Sequence, residues 1–187
     1  MNHVFLESTK VGTTKEELSL LLRKKMKDNG VEVEEDKFAK VYQCACNAFK
    51  DVKRYSGEEY VTHLLNVSII LTELGATAET ILAALFSEVE KKGVISLEEL
   101  SHDLPKDVYE IVLNVHITGN ELTKAADEVI LIRLAERLHN MRTIDYIEDS
   151  KKQKKAKETI DLFLPLARKL DNKKLIDELN DLCMKYV

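Results

Sequence analysis

Apolar residues recur with the period of a helix along nearly the whole chain, and the polar residues between them mark starts and stops. Thr13-Thr14 followed by Glu16-Glu17 has the form of a capped helix start, and Leu18, Leu21, Leu22 and Met26 carry an apolar face to a stop at Asn29-Gly30. Val31 to Glu35 alternates apolar and acidic residues, but no second alternating run exists to pair with it, so it reads as a linker. A second helix is expected over about Asp36 to Lys53, burying Phe38, Val41, Tyr42, Ala45 and Phe49, with Tyr55-Ser56-Gly57 as its break. The third, Glu59 to Leu74, carries Tyr60, Leu64, Val67 and Leu71 and ends at Gly75. Thr77 caps a fourth running through Lys92, and its segment Ile81 to Phe86 is apolar all round, which predicts a central position.

Ser96 with Glu98-Glu99 starts a short helical turn, and Pro105 at a first helical position opens a helix carrying Val108, Ile111, Val112 and Val115. After a break at Ile117 to Asn120, a long helix is expected from about Glu121 to Ile147. Asp149-Ser150 separates it from a lysine-rich start, with five lysines in the seven residues Lys151 to Lys157. A solvated helix face is the ordinary reading of such a run, and anion binding the alternative. Ile160, Phe163, Leu164, Ala167 and Leu170 continue an apolar face in which Pro165 predicts a kink, and a last helix near Lys173 to Tyr186 offers Leu175, Ile176, Leu179 and Leu182. The pattern predicts an all-α bundle forming one domain over residues 1–187, with residues 1–35 as an N-terminal helix and linker.

Composition agrees with this reading and removes several functions. A chain of 187 residues can bury a core without disulfide staples, and six Gly with two Pro leave few turns for a β fold. A formal charge of -5 gives no overall electrostatic footprint for nucleic acid, although a local basic patch is compatible with it. The three cysteines match no zinc spacing and read as reduced core thiols. Met1 to Lys10 lacks the apolar centre of a signal peptide, and no apolar run approaches the roughly 20 residues that cross a bilayer, so a cytoplasmic protein without membrane contact is expected.

The candidate chemistry gathers on Leu131 to Thr143. Leu131, Leu134, Leu138 and Met141 form one apolar stripe, while Glu136, His139 and Asn140 lie at i, i+3 and i+4 on another face, where they can meet a metal or a phosphate. The plainer reading is an amphipathic helix with a wet polar face. Arg54, His63, Ser87 and Glu88 on other elements complete a set that a helical bundle can converge on one place.

Three segments of that set, Arg54-Tyr55-Ser56-Gly57-Glu58-Glu59-Tyr60-Val61-Thr62-His63, Ile81 to Val89 and Leu134 to Thr143, resemble three motifs of the HD-domain hydrolases of the RelA/SpoT type. The resemblance runs from about Phe38 to Tyr186 within the region 36–187, and it implies an HD-domain multi-helix bundle. Those enzymes remove the 3′-pyrophosphate of ppGpp and pppGpp with a divalent cation, usually manganese, held by imidazole and carboxylate ligands. Carried over by residue, Arg54 and Asn140 match family positions near the nucleotide, and His63 matches the first metal ligand. Ser87 stands where the family has the His of its His-Asp pair, Glu88 where it has the Asp, and Glu136 where it has the last ligand Asp. Leu64 and Glu59 replace two prolines, and Lys91-Lys92 replace a Glu-Asp pair associated with water activation.

The resemblance therefore implies a metal set of His63, Glu88 and Glu136, weakened by the neutral hydroxyl of Ser87, and a nucleotide contact through Arg54 and Asn140. Lys91 and Lys92 remove the candidate general base and add positive charge, which favours an anionic ligand over water deprotonation. Three readings stay open: a catalytically degenerate HD domain that binds a guanine nucleotide, another phosphorylated small molecule or a protein; a metal-dependent phosphohydrolase with altered ligands; and an interaction module with inherited site residues. Without a metal, Glu136 is expected to pair with Arg133, Arg137 or Arg54, and His139 and Asn140 to bond from helix to helix. None of the family's synthetase portion is present in the sequence, so alarmone synthesis is not expected.

Overall fold

The structure, a computed structural model, describes residues 8–117 and 119–187, so that residues 1–7 and Thr118, in the expected break, lie outside it. Among the described residues there is no strand, and an isolated antiparallel bridge between Lys53 and Glu59 is the sole β pairing. Helix α1, Lys15–Asp28, starts at Thr14, whose side chain accepts from the Glu17 N–H, and Leu18, Leu22 and Met26 bury its inner face. Helix α2 spans Glu35–Ala48 and α3 spans Tyr60–Glu73, with Gly75 at φ 81 supplying the left-handed turn beyond α3. Nearly every side of α3 is covered: α1 packs along it and is pinned by the Lys15–Glu59 and Lys25–Glu73 ion pairs.

After α3 the chain folds back through α4, Ala78–Ala83, a tighter turn at Ala84–Phe86, and the single turn α5, Val89–Lys92. Ile81 to Phe86 is fully buried, as its uniform apolarity predicts, and Ser68 on α3 donates to the Ile81 carbonyl. The expected single helix from Thr77 to Lys92 is instead broken at Ser87-Glu88. Helix α6, Leu97–Asp103, begins with a full capping box between Ser96 and Glu99, and α7 covers Lys106–Asn114. Pro105 sits one residue earlier than expected, as the cap of α7 rather than its first residue.

A 3-10 turn at Gly119–Lys124 leads into α8, Asp127–Arg142, followed by another at Ile144–Tyr146, so the expected helix from Glu121 to Ile147 is shorter at both ends. Helix α9, Asp149–Glu158, passes through a π turn at Thr159–Phe163 into α10, Leu164–Lys169, and α11 spans Lys173–Cys183. Pro165 has no N–H for the carbonyl of Asp161, and the wide turn just upstream is where the ladder adjusts. One hydrophobic core runs from Leu18 on α1 to Cys183 on α11, with α8 packed across α3 and against α11. The overshoot of the expected second helix has a similar cause: Phe49 fits the helical period and is buried, yet the chain turns there and Asp51 adopts φ 62.

Candidate functional site

The turn between α2 and α3 aims the first site residue. Gly57 at φ 86 closes a tight reversal in which the Gly57 N–H donates to the Arg54 carbonyl and the Arg54 N–H to the Glu58 carbonyl. Arg54 is thereby carried to α8, where its Nη2 donates to Asn140 Oδ1 and to Thr143 Oγ1, both at 3.1 Å. Its guanidinium also lies 5.9 Å from the centroid of the Tyr60 ring. Arg54 and Asn140, both given by the resemblance as nucleotide contacts, thus lie side by side and bond to each other. Thr143, one turn beyond Asn140, is a contact that the sequence reading missed, although its i+3 position places it on the same face.

His63 on α3 and His139 on α8 face each other with 2.7 Å between their Nδ1 atoms. Both are buried, and burial lowers the His63 pKa well below the ordinary value, with Arg54 and then His139 adding to the effect. Burial, followed by Arg54 and Arg142, lowers the His139 pKa to about 3. Two neutral imidazoles can share one such bond when one ring carries its proton on Nδ1 and the other on Nε2. The helix-to-helix bond expected of His139 is therefore made, with His63 as its acceptor or donor.

The remaining acidic positions converge on one guanidinium. Glu136, 3% exposed on α8, accepts from Ser87 Oγ at 2.5 Å through Oε1 and from Arg133 Nη1 at 2.8 Å through Oε2. Arg133 Nη1 also lies 3.0 Å from Glu88 Oε1, so one cationic nitrogen joins both carboxylates. Burial pushes the Glu136 carboxyl up to about 7, opposed by Arg133 and reinforced by Glu88. Burial alone would lower the Arg133 pKa, but Glu136 and Glu88 outweigh it and hold it above its ordinary value. Of the partners expected for an unmetallated Glu136, the structure selects Arg133.

As arranged here, these residues do not present a set of open ligands to a divalent cation. Both oxygens of Glu136 and one of Glu88 are taken by Ser87 and Arg133, and His63 turns its Nδ1 to His139. Among the described residues, no group of three or more His, Cys, Asp or Glu side chains comes together as a ligand set. His63, Glu88 and Glu136 are drawn into two separate pairings, and the positive charge between the acids is a side chain.

Beside this network opens a cavity of about 620 Å³, whose lining brings seven Lys or Arg residues (Lys53, Arg54, Lys91, Lys92, Arg133, Arg137, Lys155) against the two acids Glu88 and Glu158. Asn140 and Thr143 reach it from α8, and Tyr55 and Tyr146 line it while remaining 77% and 49% exposed. Arg137 is fixed by a 3.0 Å ion pair to Glu158 and by its Cζ lying 4.1 Å from the Phe163 ring centroid. Phe163 belongs to the π turn, which helps present Leu162 and Phe163 to the cavity from the same helical run as Lys155 and Glu158. The lysine-rich run is mostly solvated, but its Lys155 is half-buried and faces this space.

Comparison with known proteins follows the same lines. An HD domain model matches residues 41–121 and 120–172. A GTP pyrophosphokinase of Streptomyces coelicolor is 35% identical over 159 residues, covering 76% of this chain and 19% of that protein. The guanosine-3′,5′-bis(diphosphate) 3′-pyrophosphohydrolase of Aquifex aeolicus is 32% identical over 167 residues, covering 81% of this chain and 24% of that one, and the enzyme so named from Haemophilus influenzae is 32% identical over 147 residues, covering 69% and 22%. The chain thus spans only about a fifth to a quarter of the length of these relatives. A solved structure described as a metazoan ortholog of SpoT that hydrolyzes ppGpp shares the fold, with a TM-score of 0.67, 21% identity, and coverage of 83% of this chain and 98% of that one. With its helical bundle, its ordered motifs and a family match that spans most of its length, the chain belongs to the HD-domain family.

Proposed function

We propose that this chain is a non-hydrolysing HD domain that binds a phosphorylated nucleotide, with guanine nucleotides the first class to test. The observation that carries this reading is Arg133 Nη1, 3.0 Å from Glu88 and 2.8 Å from Glu136, where the resemblance calls for a metal between carboxylates. A guanidinium neutralises those acids but has no open coordination position, so it can neither bind nor acidify a water as a divalent cation does. Lys91 and Lys92, at the cavity wall, stand where a proton acceptor would be needed and are cations instead. Binding is a better use of the cavity: Arg54 held by Asn140 and Thr143 offers a fixed donor, and the exposed rings of Tyr55 and Tyr146 offer faces for a base.

The names of the Aquifex aeolicus and Haemophilus influenzae relatives support a guanosine bis-diphosphate as the test ligand. The reading places the protein in the cytoplasm, where the free thiols of Cys44, Cys46 and Cys183 would stay reduced. The test is incubation with ppGpp and manganese, following pyrophosphate release, alongside equilibrium binding of ppGpp. Binding without release is expected. Pyrophosphate release that follows added manganese would return the chain to the metal-dependent phosphohydrolases.

A further inference from the structure

A groove of about 930 Å³ runs between α1 and the start of α2, and it shares no lining residue with the cavity beside α8. One wall is a single face of α1, where Leu20, Arg23, Lys24 and Lys27 stand at i, i+3, i+4 and i+7, opposite the inward stripe of Leu18 and Leu22. The linker from Gly30 to Glu34, continued by Glu35, makes the other wall. Met26 and Phe38, both buried, form an apolar floor between them.

The two walls carry opposite charge. Arg23, Lys24 and Lys27 all belong to the α1 wall, and Glu32, Glu34 and Glu35 all belong to the linker wall. Arg23, with its Cζ 5.4 Å from the centroid of the Phe38 ring, pairs with Glu35 across the groove. Lys24, Lys27, Glu32 and Glu34 are exposed, and among the described residues none of these four enters an ion pair. Leu20 rises beside them at 66% exposure, the most exposed leucine among the described residues, and Val31 and Val33 are only half-buried. An isolated exposed leucine is ordinary, but one at the edge of a groove with an apolar floor extends a continuous patch.

We infer that this groove is the interface of a symmetric dimer of the chain, with Leu20 of each protomer seated in the groove of the other. The charge pattern selects a second copy over other occupants. A partner of one charge sign would be attracted by one wall and repelled by the other. A second copy related by a two-fold axis along the groove instead lays its basic α1 wall on the acidic linker wall, and the symmetry makes that match twice. Two chains of charge -5 repel at long range, so association needs such a local match of opposite charges. The inference is independent of the nucleotide reading, because the two surfaces have no residue in common.

Sedimentation equilibrium of the full chain over about 1 to 200 µM tests the dimer, with a doubled mass expected toward the upper end. Lys24→Glu with Lys27→Glu makes both walls mainly acidic, and Glu32→Lys with Glu34→Lys makes both mainly basic. Each double variant should dimerise at least about tenfold more weakly than the wild type, since like charges then face each other. An equimolar mixture of the two should recover the two-chain species, because an acidic face then meets a basic one. Leu20→Ala keeps the charges and should also weaken association, by removing the apolar anchor. All five positions are exposed, so each variant should keep the wild-type circular dichroism. A wild type that stays monomeric throughout, a dimer indifferent to both charge reversals, or a mixture that associates no better than its components would each overturn the inference, the first leaving the groove to a partner of different sequence.

Discussion

Ser87 Oγ donates a 2.5 Å hydrogen bond to Glu136 Oε1 across the junction of the α4–α5 segment with α8, and it does so where the resemblance calls for a metal-ligand histidine. The Ala84 carbonyl lies 2.9 Å from the same hydroxyl and is the alternative acceptor for its single proton. Ser87→Ala removes a donor from a buried charged acceptor and should cost about 1.5–3 kcal/mol. Urea denaturation checks this, with the same substitution made in Glu136→Gln as the second arm of a double-mutant cycle. A loss of equal size in both backgrounds would show that the Ser87–Glu136 bond is not its source.

Arg133→Met leaves Glu88 and Glu136 facing each other without their shared cation, and a broken buried ion pair costs roughly 3–5 kcal/mol. The same change also frees two carboxylate oxygens, Glu88 Oε1 and Glu136 Oε2, for a divalent ion. Thermal denaturation should therefore show a large loss in Arg133→Met that added manganese partly restores, while the wild type responds little. A wild-type melting temperature that rises with manganese as much as that of the variant would mean that Arg133 does not hold the cation position.

The two histidines set a pH dependence of defined sign. His63 and His139 are held below their unfolded values, His139 at about 3, so the unfolded chain binds their protons first. Their contribution is fully present above about pH 6.5 and is lost as pH falls from there toward the folded values, by up to about 1.4 kcal/mol per pH unit for each. Glu136 acts in the opposite sense: with its folded value raised to about 7, it makes the native state gain stability as pH falls from about 7 to 4.5. Comparing wild type with His139→Asn cancels the Glu136 contribution. The stability difference between them should shrink as pH drops from 7 to 4, and parallel denaturation midpoints over that range would contradict the neutral pair.

How much of this was readable from sequence depends on whether the signal was local. Thr14 and Thr77 as helix caps, the Ser96–Glu99 capping box and Gly75 beyond α3 are set by residues within a turn of one another, and the helix starts followed. The break at Ser87-Glu88 was not readable, because a segment apolar all round gives the period no phase to lose. Pro165 announced a disturbance but not its form, a π turn that helps bring Phe163 under Arg137. In the site, the ion pair of Glu136 with Arg133 is an i, i+3 relation and could be anticipated. That the same nitrogen also holds Glu88, from an element 45 positions away in sequence, depends on how the helices cross. Lys155 was visible as part of a charge run, and only the rotation of α9 singles it out from its neighbours.

Restoring the metal-binding pattern tests whether the scaffold beneath these substitutions remains competent. Ser87→His, Glu88→Asp and Glu136→Asp together replace the hydroxyl by an imidazole and retract two carboxylates by one methylene each, roughly 1.5 Å of reach. In the present packing the new imidazole would stand beside Arg133, so the cation would repel the metal from the site it is meant to occupy. The triple variant alone should therefore gain manganese affinity only weakly, whereas adding Arg133→Gln, which keeps length and polarity but removes the charge, should raise it by at least tenfold. Manganese binding followed by titration calorimetry in the triple and quadruple variants checks the order. Equal affinity in the two would show that Arg133 does not oppose the metal, and pyrophosphate release from ppGpp by the quadruple variant alone would show that the rest of the pocket still positions a nucleotide for hydrolysis.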